Sequence, residues 1–354
     1  MAKRHADLFG QIASFAALHA AARKAIAGKR KKPGAAAFMA NLEPELLRLE
    51  RELLAGSYRT GRYLEIVGRD PKRRMVSAAP FRDRVVHHAL FTVIGPIFER
   101  GFIDDSYANR EGYGTHRAVV RYEHFRDRHA GVLRGDIYRY FPAIDHEILK
   151  SSLRRRIACP RTLALCEVII DGSNPQEPVL QYFPGDDLLS PLARRRGLPL
   201  GNLTSQFFAN VYLDGLDHFV KEVLRAPYLR YVDDFALFAD DAAQLARWRE
   251  QIETYLCGRR LRLHPDKTRI MPCAESAAFL GYELLPGGRR RLVPANVTRF
   301  RQRLDALRRQ WQRGDTNRAD VCQRVGSWIA HAVHADTQRL RHALFRGGWF
   351  DPFQ

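Results

Sequence analysis

Tyr231-Val232-Asp233-Asp234 breaks an apolar, β-rich stretch, with Tyr228-Leu229 before it and Phe235-Ala236-Leu237-Phe238 after it. Short apolar runs joined this way read as a strand-turn-strand hairpin, so two adjacent carboxylates project from a rigid tip. An Asp-Asp pair alone is weak evidence, because Asp104-Asp105, Asp186-Asp187 and Asp240-Asp241 also occur and read as loop or turn acids. The context is a second acid. Val132 to Phe141 reads as another short strand, with Asp136 following Val132-Leu133-Arg134-Gly135 and preceding Ile137-Tyr138-Arg139-Tyr140-Phe141. Two neighbouring strands of one sheet bring Asp136, Asp233 and Asp234 together.

Hard divalent cations such as Mg²⁺ take few protein carboxylates and fill their remaining positions with phosphate oxygens and water. A cluster of two or three Asp therefore suits two-metal nucleotidyl transfer, which needs no Cys, Ser or His nucleophile. The charge balance supplies a fitting partner. The 354 residues carry 58 Lys+Arg against 39 Asp+Glu, a net charge of +19, with 45% apolar residues. That is a folded body with a polyanionic partner, and nucleic acid is the leading expectation.

No run approaches the roughly 18 apolar residues of a spanning helix; the longest, Val85 to Phe98, contains His87 and His88. The N-terminus lacks a signal-type apolar core. Five cysteines, odd in number and without a Cys-x-x-Cys pair, suggest neither a disulfide framework nor a zinc knuckle. A cytoplasmic protein without membrane attachment is expected.

Along the chain, residues 1–60 read as a helical extension broken by the basic run Lys29-Arg30-Lys31-Lys32. Residues 61–80 switch to a hairpin whose charged turn is Gly68-Arg69-Asp70-Pro71-Lys72. Thr115 is expected to cap a helix running through His129, and Asp171 to Arg196 to form a long surface loop. Residues 286–354 hold 14 Arg and 5 Asp and read as a basic helical module. Within it Val297, Phe300, Leu304, Leu307 and Trp311 form an apolar stripe, and Trp311 and Trp328 are expected core anchors. His331 and His334 have a spacing that could bind metal, though RNA contact or packing is the simpler reading.

These residues resemble bacterial reverse transcriptases over roughly residues 60–345. Lys72-Arg73-Arg74-Met75-Val76 resembles the fingers segment that holds the incoming triphosphate, and Asp136 with Phe141 the first palm motif. Gly197-Leu198-Pro199-Leu200-Gly201-Asn202-Leu203-Thr204-Ser205-Gln206 resembles the second palm motif, which lies under the template and nascent pair. Tyr231-Val232-Asp233-Asp234 matches the signature box. Lys267, in His264-Pro265-Asp266-Lys267-Thr268, resembles the lysine that assists pyrophosphate departure, and Phe279-Leu280-Gly281-Tyr282 the primer grip.

The resemblance implies an α+β right-hand polymerase: an extension (1–60), fingers and an antiparallel palm (61–285), and a basic helical thumb (286–354). It implies two Mg²⁺ ions, replaceable by Mn²⁺, at Asp136, Ile137, Asp233 and Asp234. Lys72, Arg74, Phe141, Leu200, Gly201 and Lys267 would contact deoxynucleoside triphosphate, with the Phe141 ring excluding a 2′-hydroxyl. Asn202, Ser205, Gln206, Tyr231, Phe279, Leu280, Gly281, Tyr282, Arg299 and Arg303 would contact template RNA and the cDNA primer.

The second palm motif departs from the common pattern, which has Gln before the Gly and ends Ser-Pro; Leu200-Gly201 and Ser205-Gln206 stand here instead. That variant resembles diversity-generating retroelement enzymes, which copy a template repeat with errors at adenines beside a small basic helical accessory protein. Asp83 to Leu90, Ser106-Tyr107-Ala108 and Ser327 to Ala332 extend the likeness. Two rivals stand: a defence or retron-like reverse transcriptase copying its own noncoding RNA, and a non-catalytic RNA-binding scaffold. The intact acids count against the scaffold.

Overall fold

A computed structural model describes residues 3–68, 74–174, 176, 181–345 and 349–350, with only the backbone of Arg74; Lys72 lies outside them. Helices α1 (Phe9–Ala13), α2 (Phe15–Ala25), α3 (Pro33–Ala40) and α4 (Leu42–Leu54) open the chain. Ser14 caps α2 by accepting the Ala17 amide, and Pro33 starts α3, where its missing N–H costs nothing. Leu46, Leu49 and Leu53 line the buried face of α4 at helical spacing. Strands β1 (Leu64–Gly68) and β2 (Arg74–Ala78) pair antiparallel, and α5 (Phe81–Glu99) follows. Helices α1, α2 and α3 pack on α5, α4 packs on them, and all four share its hydrophobic core, so this extension is joined to the centre of the molecule.

The central elements are α6 (Thr115–Arg126), β3 (Gly131–Asp136), α7 (Tyr140–Ala143), α8 (His146–Arg154), α9 (Pro160–Asp171), α10 (Ser190–Ala193) and α11 (Leu203–His218). One π-helical turn, Phe219–Val223, continues α11 into β4 (Tyr228–Tyr231), β5 (Asp234–Ala239), α12 (Ala242–Gly258) and β6 (Arg269–Pro272). The four strands form an antiparallel sheet in the order β4-β5-β3-β6. Both faces are covered. Tyr228, Leu133, Phe235 and Leu237 enter the core shared with α11 and α12, whereas the alternate residues Leu229, Val132, Ala236 and Phe238 pack with Val119, Tyr122 and Phe279.

A second sheet, β7 (Ala277–Phe279), β8 (Tyr282–Leu284) and β9 (Arg290–Leu292), straddles the expected boundary at 285. Helices α13 (Pro294–Gln312), α14 (Arg318–Ala332) and α15 (Gln338–Phe345) complete the chain. They have a small core of Phe300, Leu307, Val321, Val325 and Phe345, with Trp328 stacked 3.9 Å from Phe300.

Several local expectations change. Thr115 begins α6 instead of capping it, because its hydroxyl pairs with the Tyr231 hydroxyl at 3.1 Å, and the helix ends at Arg126. The strand expected to reach Phe141 stops at Asp136; Arg139 adopts φ 47°, and the aromatic residues after it start α7. The 171–196 segment contains α10, and Asp186, a loop acid as expected, has its side chain buried in an ion pair with Arg194. Asp105 is likewise buried, held by Arg121 at 2.8 Å and Lys221 at 2.7 Å. Trp311 is 40% exposed and is no core anchor. No described helix is long and apolar enough to cross a membrane.

Candidate functional site

The β3–β5 register sets Asp136 directly opposite Asp234, and the β4–β5 register sets Tyr231 opposite the same residue. Val232 and Asp233 form the two-residue tip, with Val232 at φ 58°. A β-branched residue rarely adopts this left-handed conformation, so the tip stores strain that its surroundings must hold. The Ile137 amide donates to the Asp233 carbonyl at 3.3 Å, and the His264 amide to the Asp136 carbonyl at 2.7 Å, tying the acids to flanking backbone. Gly135 is required by packing: a Cβ there would lie 2.1 Å from the Phe235 ring.

Three acids on two paired strands repel one another. Burial first, then Asp233 and Asp136, push the Asp234 carboxyl up to about 7. Lys267 offsets part of that charge, its ammonium donating to Asp136 Oδ2 at 2.7 Å. Among the described residues, no three His, Cys, Asp or Glu side chains converge tightly enough to enclose an ion unaided. The arrangement is instead a set of hard oxygen donors, Asp136 buried and Asp233 and Asp234 half-buried, with excess negative charge and one lysine as counter-charge. This fits a cation of the Mg²⁺ class, which completes its shell with phosphate oxygens and water.

The other expected contact residues are buried to different depths. The half-buried Phe141 sits in α7, and its carbonyl accepts from the Leu198 amide at 2.9 Å. Leu200 accepts from the Ser77 amide at 3.0 Å, joining the second motif to β2. Gly201 has φ 100°, and a Cβ there would lie 2.8 Å from Val76 Cγ1, so only glycine fits without displacement. The Asn202 side chain is buried: Oδ1 accepts from the Ala79 amide at 3.1 Å, and Nδ2 donates to the Ser77 and Pro199 carbonyls. It is a fastener between β2 and α11. Ser205 is also buried in α11, whereas Gln206 is half-buried.

Farther out, Leu280 (φ 48°) and Gly281 (φ 91°) form the tight turn between β7 and β8, while Phe279 and Tyr282 point into the core. The Tyr282 hydroxyl meets His331 Nδ1 at 2.9 Å and His116 Nδ1 at 3.3 Å, and the His116 and His334 rings stack 3.5 Å apart. Burial and neighbouring imidazoles lower the pKa of His116 and His331. These histidines join α14 to α6, and no metal-holding group forms among the described residues. Arg299 and Arg303 lie on α13, with Arg299 Nε donating to the Ala295 carbonyl at 3.2 Å.

One group was not singled out from sequence. Arg230, buried completely in β4, makes an ion pair with the equally buried Asp217 of α11. The available signal was a charged residue inside the apolar run Tyr228 to Phe238.

Residues 68–284, more than half of the chain, match the family described as reverse transcriptase (RNA-dependent DNA polymerase). The chain belongs to the reverse transcriptase family. It is accordingly an RNA-directed DNA polymerase of right-hand fold. Template RNA is a partner, and reverse transcriptase domains generally use divalent metal ions.

Protein YkfC of Escherichia coli K12 is 27% identical, the match covering 70% of this chain and 73% of that protein. An uncharacterized 91 kDa protein in the cob intron of Schizosaccharomyces pombe is 28% identical over 43% of this chain but only 17% of its own length. Among solved structures, telomerase from Candida albicans in complex with a telomeric RNA fragment has TM-score 0.47 at 14% identity. That match covers 67% of this chain and 46% of the telomerase chain. Apo telomerase from Candida tropicalis, truncated of its C-terminal domain, has TM-score 0.46 at 12% identity, covering 66% and 55%. The chain thus spans about half the length of those telomerase chains.

Proposed function

We propose that this reverse transcriptase copies RNA into cDNA at Asp136, Asp233 and Asp234, using Mg²⁺ and deoxynucleoside triphosphates. The observation that carries this is the Asp136–Asp234 opposition across β3 and β5, with Asp233 at the adjoining tip. Asp136 and Asp233 would be the principal metal ligands, with Asp234 completing the cluster beside the Ile137 backbone. Divalent cations held there would supply the acidification of the primer 3′-hydroxyl and the neutralisation of the triphosphate.

Each surrounding side chain then has a defined task. Lys267 is 45% exposed at its side chain, so its ammonium is free to exchange Asp136 for a phosphate oxygen of the departing pyrophosphate. Lys72 and Arg74 neutralise the triphosphate from the fingers. Phe141 stands beside the incoming sugar and disfavours a 2′-hydroxyl. Tyr231, Gln206 and the Leu280-Gly281 turn guide template and primer, while Arg299 and Arg303 meet the phosphate backbone from the thumb. Asn202 and Ser205 act from beneath, holding the surface on which the nascent pair rests.

Leu200-Gly201 and Ser205-Gln206 support the subtype reading. An aliphatic side chain at 200 removes a polar contact near the nascent pair, which supports error-prone copying at adenines in a diversity-generating retroelement with a small basic helical accessory protein. The test is extension of a DNA primer on RNA with Mg²⁺, with products sequenced. Errors concentrated at template adenines, reduced in Leu200→Gln, support the subtype; accurate extension favours a defence or retron-like enzyme. Failure to extend after template RNA and accessory protein are supplied returns the non-catalytic scaffold.

A further inference from the structure

Arg230 lies one residue before the Tyr231-Val232-Asp233-Asp234 box, in the middle of β4, where neither its side chain nor that of Asp217 meets solvent. An arginine carries five N–H donors and no acceptor, so complete burial is tolerable only when each donor finds a partner. Here every one does. Nε donates to Asp217 Oδ1 at 2.7 Å, and one Nη2 hydrogen to Asp217 Oδ2 at 2.6 Å. The other Nη2 hydrogen reaches Ser106 Oγ at 3.1 Å, while Nη1 serves Asn210 Oδ1 at 3.2 Å and the Val232 carbonyl at 2.9 Å.

Four of these bonds fix the guanidinium to the body of the palm. Asp217 is also held by the Tyr228 hydroxyl at 2.8 Å, and Asn210 by its bond to the Ala108 carbonyl at 2.8 Å. The fifth bond differs, because its acceptor is the left-handed residue at the tip carrying Asp233 and Asp234. A strained turn persists only where its surroundings over-determine it. The Arg230 backbone is itself clamped, its amide donating to the Asp105 carbonyl and its carbonyl accepting from the Tyr107 amide, both at 2.9 Å.

We infer that Arg230 is a positioning residue for DNA synthesis. It transfers the rigidity of the buried Asp217 ion pair to the Val232 carbonyl and thereby holds the two tip carboxylates in their reactive geometry. This rests on the proposed site at Asp136, Asp233 and Asp234. A merely structural arginine would contribute stability alone, and the two roles separate in variants that stay folded.

Arg230→Lys keeps a cation beside Asp217 but, with three donors on a single nitrogen, cannot span Asp217 and Val232 together. The triple variant R230M/D217V/Y228F replaces the ion pair and its hydroxyl partner with apolar groups, a change often neutral for stability. Both are compared with the wild-type chain by single-nucleotide extension on an RNA template with Mg²⁺, thermal midpoint and amide hydrogen exchange at residues 231–234. Positioning predicts that the folded variants lose kcat roughly 10²-fold with the deoxynucleotide KM unchanged within about twofold, as expected for a misplacement of about 1 Å. It also predicts faster exchange at the tip than in the remainder of the sheet. A triple variant with wild-type kcat and wild-type tip exchange overturns the inference, even if Arg230→Lys unfolds. Exchange reads the tip independently of activity, so a wrong site assignment, revealed by full activity of Asp233→Asn, is distinguishable from a wrong role for Arg230.

Discussion

Lys267 holds its ammonium 2.7 Å from Asp136 Oδ2, linking the turn after α12 to the end of β3. The lysine compensates the acid cluster in the absence of bound cation and competes with a cation for the same oxygen. Lys267→Ala is therefore expected to bind Mn²⁺ several-fold more tightly by titration. The same variant should extend primers about 10- to 100-fold more slowly for want of a donor to pyrophosphate. Weaker Mn²⁺ binding would contradict the electrostatic competition.

Asn202 ties the end of β2 to the start of α11 through three buried hydrogen bonds to Ser77, Ala79 and Pro199. Asn202→Ala leaves an amide and two carbonyls without these partners and is expected to cost about 2–3 kcal/mol of stability in denaturant titration. A loss below about 0.5 kcal/mol, with weakened template binding instead, would mean that the side chain leaves its pocket to meet nucleic acid.

His87 is fully buried in α5, and neither ring nitrogen has a hydrogen-bond partner. Burial, with His88 and Arg84 nearby, pushes its pKa down from 6.5 to about 3. The unfolded chain therefore takes up a proton at this residue as pH falls below 6.5, and the folded chain does not. The stability contributed is present above that value and is lost on acidification toward 3. Relative to His87→Met, the wild-type chain should lose about 2 kcal/mol between pH 7 and pH 5. Parallel pH profiles for the two proteins would rule this out.

How far the sequence reveals this molecule depends on whether a residue's partner is local. The hairpin around Val232 and the run ending at Asp136 are legible because short β-rich apolar runs and a two-residue turn are written in adjacent positions. Their convergence follows from antiparallel pairing. Ile137 to Phe141 misleads, because its apolar and aromatic residues match a strand while the backbone turns at Arg139 to start α7. Arg230 was invisible for a different reason. A charged residue inside a strand signals nothing until its acceptors are known, and Asp217, Asn210 and Ser106 come from another helix and a loop. The Asn202 anchor likewise depends on Ser77 and Ala79, more than a hundred residues away.

The central claim is that the acids brought together by β3, β5 and the Val232-Asp233 tip carry out RNA-templated DNA synthesis. The most direct measurement pairs primer extension on an RNA template in Mg²⁺ with RNA-binding affinity, for the wild-type chain and Asp233→Asn. The account predicts extension by wild type, loss of at least about 10³-fold in the variant, and RNA affinity unchanged within about twofold. Extension by Asp233→Asn at a rate near wild type would contradict it.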